Sequence, residues 1–93
     1  EFEEGDVDES SFALDFVTEY YLRFEVANVA EALSKITALI EDNGVSVVKA
    51  VTKDNNVIVI TSKCQESKMQ DIVARIEKLN AVDKLAALVR IEK

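Results

Sequence analysis

The sequence predicts an α+β domain in which elements follow one another as strand, helix, strand, strand, helix, strand. Three observations carry this. Apolar residues alternate with period two around residues 20–26 and 85–91. Two stretches between them carry apolar residues at three- and four-residue spacing. Polar turn clusters, one with glycine, separate the elements.

The first strand is read from Tyr20, Leu22, Phe24 and Val26, which alternate with Tyr21, Arg23 and Glu25 and so mark a strand with one buried face. Asn28 with Glu31 three residues later resembles a capping box, and Leu33, Ile36, Leu39 and Ile40 form one apolar stripe behind it. This helix should stop at Asn43-Gly44, because glycine enters the left-handed cap conformation without a Cβ penalty. Val45, Val47, Val48 and Val51 then prefer extended backbone. Lys53-Asp54-Asn55-Asn56 is a turn into Val57-Ile58-Val59-Ile60, which makes these two strands a hairpin. Ser67 and Gln70 read as a second capping box, opening a helix striped by Ile72, Val73, Ile76 and Leu79. Leu85, Ala87, Val89 and Ile91 alternate with Ala86, Leu88 and Arg90 in the closing strand.

Two strand-helix-strand units joined by a hairpin give the ferredoxin-like βαββαβ arrangement, a four-stranded antiparallel sheet with both helices on one face. With Tyr20, Leu22, Phe24, Val45 and Val47 as the core set, the open face receives Tyr21, Arg23, Glu25, Val48 and Ala50. A mixed apolar and charged face of this kind invites a partner. Residues 1–18 are rich in Asp, Glu and Ser and read as an acidic linker or arm, and residues 19–93 form the domain. Within the arm Phe12, Leu14 and Phe16 alternate as an edge strand would.

Composition excludes several functions. Ninety-three residues make one domain with one modest core, and no apolar run approaches membrane length. Eighteen acidic against eleven basic side chains give a net charge of −7, and the bases are scattered, which argues against a nucleic-acid partner and against anionic membrane surfaces. Cys64 is the only cysteine, so neither an internal disulfide nor a paired-thiolate metal site exists, and a reducing cytoplasmic setting fits best. With no histidine, one cysteine and no serine in a strained glycine turn, the chain holds no catalytic set of its own. No metal ligand set is expected either, and Cys64 reads as structural.

Two relatives of the topology fail on their residues. RNA-recognition modules need stacking aromatics on the central strands, which Val57-Ile58-Val59-Ile60-Thr61 does not supply. Small metal carriers present two cysteines where this chain has Ala27-Asn28-Val29-Ala30. What survives is small-molecule binding at the first loop and helix start, where free backbone donors can hold a carboxylate, set against the plain reading of a capped turn.

The segment Tyr20-Tyr21-Leu22-Arg23-Phe24-Glu25-Val26, with Leu33-Ser34-Lys35-Ile36-Thr37 and Asn43-Gly44-Val45-Ser46, resembles the ACT domain family. It is most similar to the C-terminal ACT domains of bacterial homoserine dehydrogenases. The similarity runs from about Ser11 to Lys93 and takes in Val57-Ile58-Val59-Ile60-Thr61 and Leu88-Val89-Arg90-Ile91-Glu92. The resemblance implies an allosteric appendage that forms a homodimer or higher homo-oligomer and binds a small amino-acid effector, threonine first. It also implies that the NAD(P)-binding and catalytic domains of the oxidoreductase are separate from this stretch, which itself needs no cofactor. Carried onto this chain, the effector site would comprise Asn28, Val29 and Ala30 in the first loop and Asn43, Val45 and Ser46 before the second strand, from one or two chains. Leu33 would touch the ligand side chain or the core. The family usually places an acidic residue, proline and glycine before the first helix, and the matching positions here are Asn28, Ala30 and Glu31. Glu31 adds bulk and negative charge where a ligand carboxylate would lie. An assembly module that kept the fold and lost the ligand is the alternative.

Overall fold

The structure, a computed structural model, describes residues 17–91. Residues 1–16, and with them the alternation of Phe12, Leu14 and Phe16, lie outside the described residues. The elements run β1 (Val17–Val26), α1 (Val29–Asp42), β2 (Val47–Lys53), β3 (Asn56–Thr61), β4 (Cys64–Gln65), α2 (Glu66–Glu77) and β5 (Val82–Ile91). The expected order is present, with a fifth, two-residue strand added. β1 is central: it pairs antiparallel with β3 on one side and β5 on the other, and β2 continues the sheet beyond β3. The short β4 pairs with Val17 and Thr18, so β1 starts two residues inside the stretch read as arm.

The alternation in β1 is obeyed, with Tyr20, Leu22, Phe24 and Val26 buried. Across the sheet they meet Val57 and Val59, and on the helical side Ile36, Ile40, Met69, Ile72 and Ile76, in one core cluster. Fully burying aliphatic and aromatic side chains is worth roughly 1.5–3 kcal/mol each. This shared core is therefore what holds both helices to the same sheet face.

Each terminus of α1 is closed by its own sequence. Asn28 caps the start, its Oδ1 accepting from the Glu31 amide at 2.9 Å. The reciprocal half of the box does not form, because the Glu31 carboxylate pairs with Lys35 one turn on, at 2.9 Å. At the far end Gly44, at φ 85°, donates to Glu41 O (3.0 Å), and Val45 donates to Ile40 O (3.3 Å). That pair of bonds is a Schellman motif, and the burial of Val45 supplies its hydrophobic contact.

Three local expectations are corrected. α2 starts at Glu66 and not behind Ser67; Gln65 occupies the cap without a side-chain bond, and the Gln70 amide reaches Glu66 Oε2 at 3.2 Å. A register shift between Val47 and Lys49 inserts Val48 as an extra residue in β2. Lys49 and Val51 therefore share the open face with Ile60 and Ile58, while Ala50 sits opposite Val59 on the helical side. Two further shifts divide β5, so that Leu85 faces the helices, opposite Phe24, whereas Ala87 and Val89 lie opposite Arg23 and Tyr21 on the open face. A bulge adds one residue to one strand only and reverses which face the following residues take.

Candidate functional site

The six residues expected at an effector site fall at the two ends of α1. Asn28, Val29 and Ala30 form its start; Asn43, Val45 and Ser46 follow its end. The helix that holds them apart is fourteen residues long, about 20 Å at 1.5 Å per residue. Within one chain the structure does not bring them together.

Most of the six already serve the fold. Asn28 is the cap described above. Val29 and Leu33 pack against the core. Asn43 bonds Leu39 O through its side-chain amide at 2.8 Å, and Val45 completes the Schellman motif. The Ser46 amide donates to Ser62 Oγ at 3.0 Å, and its carbonyl accepts from the Ser62 amide at 2.8 Å, tying β2 to the end of β3. The amides of Val29 and Ala30, the first two of the helix, have no partner inside it. They stand at the positive end of the helix dipole and suit a carboxylate. Glu31, the residue that disturbs the family pattern, has its charge answered by Lys35.

Two concavities were not legible in the sequence. A cavity of about 280 Å³ lies between α2 and β5, lined by Tyr20, Glu66, Met69, Gln70, Leu88 and Arg90. The ion pair of Arg90 with Glu66 at 3.3 Å belongs to its lining. An open groove of about 470 Å³ at the end of β1 is lined by Glu25, Val26, Asp54, Asn55, Asn56 and Asp83. Its carboxylates favour an ammonium group and repel an anion. The groove depends on the bulge at Asp83 and on the tight turn at Asp54, whose φ of 56° is left-handed. Among the described residues no group of three His, Cys, Asp or Glu is placed to hold a metal ion. Cys64 is buried as a free thiol and donates to Gln65 O at 3.2 Å. No described helix is long and apolar enough to cross a membrane.

No family model and no curated protein matches the chain. Among solved structures there is a match to the crystal structure of a homoserine dehydrogenase from Thiobacillus denitrificans, at a TM-score of 0.75 and 29% sequence identity. The chain is similar to one part of that enzyme. The match covers 85% of this chain and 18% of the homoserine dehydrogenase chain. The likeness is therefore to a domain-sized stretch, and it agrees with the resemblance read from Tyr20–Val26 and Asn43–Ser46 as far as the parent enzyme.

Proposed function

We propose that this chain is the regulatory ACT domain of a homoserine dehydrogenase, one that self-associates and senses an amino acid of the aspartate-derived pathway, with threonine as the first candidate. The observation that carries the reading is the similarity to a stretch of such an enzyme, at 29% identity over 85% of this chain. The separation of the two half-sites along α1 supports self-association. In a two-fold dimer with the α1 helices antiparallel, the free amides of Val29 and Ala30 on one chain approach Asn43 and Ser46 of the other. Ligand bound there favours the joined arrangement, and the preference passes to the attached catalytic domains as a population shift. The dinucleotide belongs to those other domains. With Gly5 and Gly44 as its only glycines, this chain has no glycine-rich turn to receive a pyrophosphate.

A second reading has an observation of its own. The cap at Asn28 and the Schellman closure at Val45 engage residues that a ligand would use. An assembly module without effector would look the same. Calorimetric titration of the chain with threonine, followed by isoleucine and methionine, combined with sedimentation, separates the two. The sensor reading expects saturable binding that shifts the sedimenting species towards the dimer. A stable dimer blind to all three amino acids overturns the sensor and leaves the assembly module.

A further inference from the structure

The face of the sheet away from the helices is apolar at its centre and basic at its margin. The registers of β1, β2, β3 and β5 place Ile60, Tyr21 and Val89 in one row and Val51, Ile58 and Ala87 in the next. Val51 and Val89 are 41% and 52% exposed, large values for valines in a sheet. Arg23 stands among them, half-buried, with Ile58 and Ala87 on either side. The same face carries Lys49, Lys53 and Lys84 against the acids Glu19 and Glu25, and Lys84 is answered by Glu25 at 3.9 Å. Among the described residues, Arg23, Lys49 and Lys53 enter no ion pair. A half-buried guanidinium amid isoleucine and tyrosine costs desolvation energy that a carboxylate would return.

A second copy of this face would bring a like excess of positive charge against it. The complementary chemistry, acidic with apolar side chains between, lies in the same chain. The whole net charge of −7 resides in residues 1–16, where Glu1, Glu3, Glu4, Asp6, Asp8, Glu9 and Asp15 stand without any base. The remainder of the chain is balanced. Among these acids are Phe12, Leu14 and Phe16, and residue 16 joins directly to Val17, the first residue of the central strand. Arg23 is six residues along β1 from Val17, about 20 Å, while ten residues of extended chain reach about 33 Å. Residues 6–16 are long enough to turn back and cover the face.

We propose that the acidic N-terminal segment, residues 6–16, docks on the open sheet face of its own chain, its phenylalanine and leucine side chains over Tyr21, Ile58 and Val89 and its carboxylates at Arg23, Lys49 and Lys53. The dimer proposed above does not use this face, since it joins through α1.

Zero-length carbodiimide coupling, which joins carboxylates to lysines in direct contact, tests this on the full chain. The sample is an equal mixture of ¹⁵N-labelled and unlabelled protein, read by peptide mass spectrometry. Links from Asp6, Asp8 or Glu9 to Lys49 or Lys53, within one isotopic species, are expected. In Arg23→Glu, with circular dichroism unchanged, their yield should fall about fivefold, the loss of one surface ion pair. Raising the salt should act in the same direction. Links distributed evenly over Lys35, Lys63, Lys68 and Lys78, links only between isotopic species, or a yield indifferent to Arg23→Glu overturn the proposal. The threonine titration reads α1 and is independent of this result.

Discussion

Asn28 is the residue at which a structural role and a ligand role make different demands, and two substitutions separate them. Its Oδ1 accepts from the Glu31 amide at 2.9 Å. Asn28→Ala removes that acceptor, and the loss of an N-cap costs about 1 kcal/mol. For a domain of this size 1 kcal/mol corresponds to a melting shift of about 4–8 °C. Asn28→Asp keeps an acceptor in the same place and adds a negative charge at the positive end of α1, which by itself stabilises by roughly 0.3–1 kcal/mol. The nearest acid, Glu31, is occupied with Lys35, so repulsion offsets only part of this gain. The expected order of melting temperatures, followed by far-ultraviolet circular dichroism, is Asn28→Asp at or above the parent and Asn28→Ala about 5 °C below it. Effector binding should follow a different order. A carboxylate beside the ligand carboxylate weakens threonine binding at least about tenfold, roughly 1.4 kcal/mol. Asn28→Ala leaves the Val29 and Ala30 amides in place and should bind threonine more nearly as the parent does. An Asn28→Ala variant that melts with the parent would refute the cap. An Asn28→Asp variant that binds threonine undiminished would remove this helix start from the effector site.

Substitutions at two more positions probe the scaffold beneath the site. Thr61 is fully buried, and its hydroxyl donates to Ser62 O at 2.9 Å and accepts from the Tyr20 amide at 3.3 Å. Thr61→Val keeps the shape and abandons both groups, at about 1–3 kcal/mol, whereas Thr61→Ser gives up one methyl for about 0.8 kcal/mol. Urea denaturation should rank valine below serine, and the reverse order refutes the hydroxyl bridge. Gly44→Ala forces a φ of 85° on a residue with a Cβ, although that atom would meet only Lys68 Nζ at 3.9 Å. The loss of about 1 kcal/mol is then a backbone cost alone. Gly44→Asn should recover part of it, and equal melting of the alanine and glycine forms refutes the strain.

The fold was legible because each element announced itself within a few residues. Tyr20, Leu22, Phe24 and Val26 could lie on one face only of an extended strand, and Asn28 and Gly44 bracket α1 through local bonds that need no tertiary partner. Where a reading failed, the deciding contact was distant in the chain. Ser67 and Gln70 satisfy the pattern of a capping box, but β4 pairs Cys64 with Thr18 and fixes the chain so that α2 begins at Glu66. The bulges at Val48 and in β5 leave no mark on the alternation of small apolar residues, so Ala50 was placed on the wrong face and Leu85 was set in one row with Ala87 and Val89.

The candidate site divides in the same way. Resemblance singled out Asn28, Val29, Ala30, Asn43, Val45 and Ser46, but a linear motif carries no statement of distance, and α1 holds its two halves about 20 Å apart. By itself the sequence determined the order of the elements, the α1 boundaries and the concentration of net negative charge in residues 1–16, since all of these follow from residue identity and short-range spacing. The tertiary structure alone decided the face on which each residue of β2 and β5 lies, the isolation of Arg23 amid an apolar surface and the separation of the half-sites. These depend on strand register and helix length, and register is set by contacts between residues far apart in the chain.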